Sequence, residues 1–511
     1  MVAINYEAQL RPGTFEYAIH YLIEEELDLS CFSDRYKNDK EGRPAYNPAI
    51  LLKIILYAYS KGITSSREIE RCCRYHIIFQ ALACGEAPHF TTIAHFISTL
   101  NHEIESVFEH VLLVCDSEGL LGNELFAIDG CKMSSNAAKE WSGTFDELKQ
   151  KRQKLGKLIQ YHTKQHQQQD KKEKGIDDND DRRQKTIETL KKNSKKIDEF
   201  LQSEAPRIGQ GKRPKEVKSN ITDNESAKMT TSKGTIQGYN GVAAVDAKHQ
   251  VIIDAQAFGE GQEHHTLKPI LETIKARYRR LSISDDIYAD QALVTADTGF
   301  ANEANMKYLH EESINAYVPD NRFRERDEKL VNQKKKYGKR KQDKPKRDRS
   351  PTVIPSSEFH VDIETKRCVC PAGEDMWLHA EKEDGYGNHK LYFEGRLSKC
   401  RVCPLKKQCM KNPESADTRK GHGRQVLFIV NSQSKVKFTD WMKKRVDSVK
   451  GKWVYSHRMS VVEPVFANMG TTKRLNRFSL RGKAKVNGQW KLFCLVHNIE
   501  KIKNYSKLVA V

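Results

Sequence analysis

Two long tracts of this chain cannot build a core, and they constrain how everything else must be arranged. Residues 142–232 are dominated by Lys, Gln, Asp and Glu, as in "HTKQHQQQDKKEKGIDDNDDRRQKTIETLKKNSKKIDEFL". Residues 322–350, "RFRERDEKLVNQKKKYGKRKQDKPKRDRS", hold almost nothing to bury. Charge-dense segments of low hydrophobicity do not offset the entropy of ordering a chain. The apolar residues, 38% of 511, are therefore concentrated in segments that must meet across these insertions. Thin stripes, Leu148, Leu155, Leu158 and Ile159, then Ile187, Leu190, Ile197 and Leu201, predict two long charged helices forming a hairpin around a polar hinge. The block 322–350 reads as a disordered or DNA-grazing loop.

The length allows two to four folded units. Residues 1–118 read as a helical domain. "NPAILLKIILYAYSKG" places Asn47 as N-cap, Pro48 in the first turn and Gly62 past the end. "SSREIERCCRYHIIFQAL" has capping-box spacing at Ser65 and Glu68, and Thr91 or Thr92 is placed to cap "FTTIAHFISTLNHEI". Short helices with Arg67, Arg71 and Arg74 along one of them suit either a DNA-docking domain or a packing domain with surface arginines. Beyond residue 118, "LFAID" (125–129), a hairpin over 238–258, "ALVTAD" (292–297) and "NAYVP" (315–319) read as strands between helices. That alternation predicts an α/β domain over 119–511, interrupted at 142–232 and at 322–450.

With 87 Lys and Arg against 68 Asp and Glu, the net charge of +19 favours a polyanionic partner, DNA or RNA. No run of about 18 apolar residues exists to span a bilayer, and the opening "MVAINYEAQLRPG" lacks an apolar signal core. The chain is read as cytoplasmic, with no membrane partner. Five of its 12 cysteines lie between Cys368 and Cys409, which in a reducing compartment argues for metal rather than disulfides. Cys400-x-x-Cys403, with Cys409, Cys368 and Cys370, supplies five thiolates for a tetrahedral site.

Two strands end alike, "LFAID-G" at Asp129 and "LVTAD-TG" at Asp297. An acid at the mouth of a sheet stays hydrated enough to hold a divalent cation, and glycine beside it permits close approach. A third acid, Glu463, stands alone in the apolar and small segment "VVEPVFANMG". Pro464 is expected in a first helical turn. A helix starting there would pack Val462, Val465, Phe466 and Met469, and would leave Glu463, Ala467 and Gly470 as a face of small residues around one carboxylate. His264 and His265 in "EGQEHHTL" read as exposed loop histidines.

Strand-Asp, strand-Asp and helix-Glu, in that order and followed by a basic helix, resemble the DDE transposases of bacterial insertion sequences. "GRPAYNPAILLKIILYAYSKGITSSREIERCCRY" resembles the N-terminal domain common to one large group of them. "QGYNGVAAVDAKHQVII" resembles their central hairpin, and "VVEPVFANM…RFSLRGKAKVNGQWKLFCLVHNIEKI" their C-terminal segment. The resemblance implies a ribonuclease H-like mixed sheet and a mobile-element enzyme that performs phosphodiester cleavage and strand transfer on double-stranded DNA, both element ends and target. It implies two Mg²⁺ ions, with Mn²⁺ as substitute, held by Asp129, Asp297 and Glu463, with Asp129 bridging. It also implies nucleoid association and a homodimer in the synaptic complex.

The family's Tyr-Arg-Glu-Lys signature maps onto Tyr455, Arg458 and Glu463, while Gly470 stands where the lysine falls; Lys473 is the nearest substitute. Arg458 is expected to bind a phosphate, and Lys473, Arg477 and Arg481 to form a basic helical stripe along the DNA backbone. "CPAG" with "C-x-x-C-x5-C" resembles a zinc-binding module inserted in related transposases, which assigns a structural Zn²⁺ to Cys370, Cys400, Cys403 and Cys409. Two other readings fit the same residues: an inactive or non-catalytic zinc-containing DNA-binding protein, and a metal-dependent nuclease of the same fold.

Overall fold

A computed structural model describes residues 4–35, 45–170, 178–209, 214–232, 234–329, 353–383, 388–431 and 437–508. The chain divides into two compact units, residues 1–323 with 442–511, and residues 324–441. Most of the basic block 322–350 and the hinge expected near 171–177 lie outside the described residues.

The first unit begins with helices α1 (Phe15–Tyr21), α2 (Pro48–Ser60), α3 (Ser66–Tyr75), α4 (Ile77–Leu82), α5 (Phe90–Thr99) and α6 (Asn101–Ser117). Asn47 caps α2, its Oδ1 accepting from the Ala49 amide at 2.8 Å, and Gly62 takes the left-handed conformation (φ 73°) past the end. Two expected caps differ. Ser65 precedes α3 without a side-chain cap bond, and Glu68 pairs with Arg71. His89, not a threonine, caps α5 by accepting from the Thr91 amide. On α3, Arg71 and Arg74 are tied to Glu68 and Glu70, and Arg67 lies over the Phe90 ring.

The mixed sheet is built from β1 (Leu125–Ser134), β2 (Ala227–Thr231), β3 (Gly234–Asp246), β4 (Ile252–Phe258), β5 (Leu293–Ala296) and β6 (Ala316–Tyr317). Its order is β2-β3-β1-β5-β6, with β4 also paired to β3. β3 lies antiparallel to β1 and β4, whereas β1, β5 and β6 run parallel. Apolar side chains at 0% exposure, including Phe126, Ile128, Val242, Ala244 and Val294, line its centre. Between β1 and β2 the charged tract forms α7 (Phe145–Asp170) and α8 (Asp178–Ser203), clamped at their base by Phe145, Leu148, Ile197 and Phe200. Beyond that small cluster only Ile187 of the two helices' described residues is buried, as such a composition implies.

After β4 come α9 (Leu267–Arg280) and, beyond β5, α10 (Glu303–Glu311). The C-terminal α13 (Lys483–Tyr505) is buried along most of its length and packs on α2, α5, α6 and β4. It also satisfies the outer edge of β4: Asn498 exchanges two 2.8 Å bonds with Ile252, and Asn487 accepts from the Ala257 amide at 2.9 Å. An edge strand so covered cannot pair with another chain. The fully buried Arg277 of α9 binds Asp254 of β4 at 2.7 Å and Glu105 of α6 at 2.6 Å, fastening the N-terminal helices to the sheet. Breaking such a buried pair costs about 3–5 kcal/mol.

The second unit, where the sequence predicted only an insertion, contains a five-stranded antiparallel sheet: β7 (His360–Asp362), β8 (Arg367–Val369), β9 (Asp375–Glu383), β10 (His389–Arg396) and β11 (His422–Asn431). It has its own core of Phe359, Cys368, Met376, Leu391, Phe393 and Val426. Helix α11 (Leu397–Val402) follows β10.

Candidate active site

Asp129 does not end its strand. β1 continues to Ser134 because β3 pairs with it throughout; what ends beside Asp129 is its parallel neighbour β5, whose last registered pair is Ile128 with Ala296. The next residues on these two strands are Asp129 and Asp297. Parallel neighbours lie about 4.8 Å apart, so the sheet itself sets the two carboxylates side by side although 168 residues separate them in sequence (297 − 129). Asp297 also opens the 3₁₀ turn Thr298–Phe300.

A cation already faces the pair. Arg458 reaches from α12 (Val449–Ala467), donating from Nη1 to Asp129 Oδ2 at 2.8 Å and standing 3.6 Å from Asp297 Oδ1 through Nη2. Its side chain is 8% exposed, and its Nε has no hydrogen-bond partner. Tyr455, one turn earlier, sits 5.7 Å from the guanidinium and is braced edge-on by Phe323. Burial raises the Asp129 pKa above the ordinary aspartate value; Arg458 pulls the other way without overcoming it, and Asp297 adds to the rise. Burial likewise opposes the Arg458 charge, but Asp129, Tyr455 and Asp297 outweigh it and hold its pKa up.

The helix expected to start at Glu463 starts at Val449, and Pro464 lies inside it. Proline has no amide to give the Ser460 carbonyl; Gln250 Nε2 donates to that carbonyl instead, at 3.0 Å. Val462, Val465 and Met469 are buried as expected, and Phe466 stacks on Trp490. Glu463 is exposed, far from the helix's positive end. Five residues past Arg458, it points roughly 140° away from it around the helix.

The expected basic helical stripe is absent as well. After Thr472 the helix does not resume: Arg474 takes the left-handed conformation (φ 51°), and Phe478 donates its amide to the Ser134 carbonyl at 2.8 Å, bridging Arg477 alongside the end of β1. Lys473 is 0% exposed and bound to Glu500 at 2.5 Å, with burial lowering its pKa. It cannot face a DNA backbone from there. Arg477 and Arg481 are exposed, and both bond to Asn136, at 3.3 and 2.6 Å.

A half-buried acid on the other face of β1 was not foreseen. Glu263, in the turn preceding α9, lies over the two glycines that follow the aspartates. A Cβ at Gly130 would stand 3.2 Å from Glu263 Oε1, and one at Gly299 would collide with Oε2. Asn240 Nδ2 donates to Oε1 at 3.3 Å. Burial raises the Glu263 pKa; nearby Lys132 opposes this, and Asp129 and Asp297 both contribute to the rise. The signal available in the sequence was "EGQEHHTL", where an acid among polar neighbours looks like any loop residue.

In the second unit, Cys370, Cys400, Cys403 and Cys409 line one small cavity of about 40 Å³. Cys370 sits in a tight turn, accepting from the Gly373 amide at 2.8 Å. Gly423 leaves room for the Cys400 sulfur, with which a Cβ there would collide. Burial raises the Cys409 pKa; Arg424 opposes it, and the other three thiols add to the rise. Cys368 turns into the sheet core against Met376, 3.9 Å between sulfurs, and takes no part. Among the described residues, no three His, Cys, Asp or Glu side chains are drawn into a metal-holding group as placed.

The fold and the paired aspartates fit the ribonuclease H-like class of DDE enzymes. Residues 369–503 match the family model described as a transposase DDE domain, and residues 4–99 match a transposase domain model, DUF772. Both matches are to transposase families and are consistent with a DDE transposase of insertion sequences. The first spans the four cysteines, Tyr455, Arg458 and Glu463; Asp129 and Asp297 lie outside both. No curated protein matches the chain. Among the described residues no helix is long and apolar enough to cross a membrane.

Proposed function

We propose that this chain is a transposase that binds the ends of an insertion sequence, cuts them and joins them to target DNA. The observation that carries the reading is the pairing of Asp129 and Asp297 on adjacent parallel strands under one guanidinium. The residues fit a divalent cation on two counts. The donors are the carboxylate oxygens that hard cations require, and both already share one positive charge, the Arg458 guanidinium. Mg²⁺ or Mn²⁺ held by this pair would supply Lewis-acid activation of an attacking oxygen and stabilisation of the leaving one. By family resemblance Glu463 is a third ligand.

The chain's own residues do the rest. Arg458, released from the aspartates, is within its side chain's reach of a phosphate at the cut end, and the Tyr455 ring orients it. Arg477 and Arg481, anchored on Asn136, form a pair of exposed guanidiniums for backbone phosphates. Such contacts position DNA without reading its sequence. The four thiols hold a structural zinc that ties the turn at Cys370 to α11 and Cys409. Joining two ends brings two copies together in the synaptic complex.

The test is Mg²⁺-dependent cutting and joining of the element's own end DNA by the full chain and by Asp129→Asn. Loss of both steps with retained DNA binding supports the reading. Normal cleavage by the variant rejects it, and cleavage without joining in the unmodified chain makes it a nuclease.

A further inference from the structure

We infer that the end strand of the second unit, β11, is the surface through which two copies of this chain pair, edge to edge and antiparallel, across residues 425–431. Such a contact deepens the reading that two copies act together on DNA, and rests on that reading for its purpose.

A strand at the end of a sheet presents a row of unpaired backbone amides and carbonyls, and proteins blunt such edges with charge, proline, shortness or a covering segment. Two edges of this molecule are blunted in these ways. The opposite end strand, β7, is three residues long and carries Asp362, and β4 of the first unit is covered by Asn487 and Asn498 of α13. β11 is protected by none of them. It is ten residues long, it is the last strand of its sheet, and among the described residues its backbone pairs with β10 alone. From Gln425 to Asn431 it holds no charged residue and no proline. Val426, Phe428 and Val430 pack on the core of the unit, while Leu427 and Ile429 on the other face are 39% and 54% exposed. A long, uncharged edge strand, apolar on both faces, is the kind that pairs with another chain.

The order of its residues selects the partner. When two copies pair antiparallel about a two-fold axis at Phe428, residues equally far before and after it stand opposite one another. The stretch Gln425-Val426-Leu427-Phe428-Ile429-Val430-Asn431 has the same residue classes read from either end. Phe428 then meets its own copy, Leu427 lies opposite Ile429, Val426 opposite Val430 and Gln425 opposite Asn431. The faces match as well: Leu427 and Ile429 join across the exposed face, and Val426, Phe428 and Val430 extend the core. A contact between identical surfaces requires this self-complementarity, whereas an unrelated partner does not. Charge points the same way. Two copies of a chain carrying +19 repel each other, so they meet best through a neutral strand, and that stretch offers a phosphate backbone no cation.

The experiment is sedimentation velocity of the full chain without DNA, over a range of protein and salt concentrations. It compares unmodified protein, Leu427→Lys/Ile429→Lys, Leu427→Glu/Ile429→Glu and a mixture of the two variants, with melting curves as a check of folding. Unmodified protein is expected to dimerise, more tightly at higher salt because screening weakens the repulsion. Like charges brought opposite each other should weaken the dimer about a hundredfold or more in either variant, and the mixture should restore it as a mixed dimer. Hydrogen exchange of the unmodified chain gives a reading without mutation: amides within 425–431 should exchange more slowly as the dimer forms. A monomeric unmodified chain, a dimer insensitive to both variants, or exchange independent of concentration overturns the inference. So does DNA affinity that rises with the lysines and falls with the glutamates while all forms sediment alike, which would make β11 a DNA-binding edge. Mg²⁺-dependent cutting and joining by the same unmodified sample separates the two readings. A monomer that joins ends removes only this contact, and a dimer that neither cuts nor joins removes only the proposed activity.

Discussion

The carboxylate cluster of the first unit and the thiol cluster of the second are assembled by opposite means. The four thiols come from residues 370–409, a short stretch in which one turn and one helix bring them around a single small cavity. The carboxylates at 129 and 297 come from two strands remote in sequence, and meet because parallel register sets them side by side. A local site of that kind suits a structural ion, which stabilises the fold that surrounds it. A site assembled from distant segments and closed by a movable cation suits chemistry, since its ligands are fixed by the sheet while its contents can change.

The sharpest way to break this comparison is to remove one ligand from each side. Asp129→Asn is expected to lower DNA cleavage on the order of a thousandfold, with DNA affinity retained in a gel-shift assay. Cys403→Ser is expected to take the zinc content, measured by metal analysis, from about one per chain to near zero, and to lower the melting temperature. Its cleavage rate per folded molecule should change far less. Were zinc absent from the unmodified protein, the thiol half of the contrast would collapse and the carboxylate half would stand.

A second contrast lies between the buried and exposed basic residues that the sequence placed together. Lys473→Ala should cost about 2 kcal/mol of stability, below the range for fully enclosed pairs because Glu500 is partly exposed, and should leave the salt dependence of DNA binding unchanged. Replacing Arg477 and Arg481 together should leave stability alone and flatten the slope of log K against log salt by about 2. A flattened slope with Lys473→Ala would show that Lys473 leaves its pocket when DNA binds.

The smallest expected effect is on pH. Burial raises the pKa of Asp129 and of Glu263, so cation binding by Asp129 should weaken on acidification at a higher pH than for an ordinary carboxylate. Stability should move the other way. A carboxyl with a raised folded-state pKa binds its proton more tightly when folded, so folding is relatively favoured below the unfolded pKa and weakens as pH rises through the folded one. Glu263→Gln, neutral throughout, should therefore melt slightly higher than the unmodified chain at neutral pH. A melting temperature that falls at pH 7 would assign Glu263 a stabilising role instead.

How much was legible follows from the distances involved. Asn47, Pro48 and Gly62 frame α2 through bonds within a few residues, and their sequence pattern carries over directly into the structure. Asp129 and Asp297 were visible because an acid closing an apolar run is unusual wherever it stands. The course of β1 past Asp129 was not, because it depends on β3, which begins about a hundred residues later. The run from Lys473 to Arg481 has helical spacing, yet its conformation is set by pairing with Ser134 and by Glu500 at the far end of α13. Pro464 looked like a helix start because its missing amide normally cannot be compensated in mid-helix; here a side chain from another segment, Gln250, serves the Ser460 carbonyl.

By itself the sequence determined what could be buried and what could not: an apolar set divided by charged insertions, acids at two strand positions, and a cluster of thiols within reach of one another along the chain. Only the tertiary structure decided how far β1 runs past Asp129, which lysine is hidden and where α12 begins. Those outcomes depend on backbone gaps and hydrogen-bond partners supplied by segments remote in sequence, and such partners leave no mark on the local pattern of residue types.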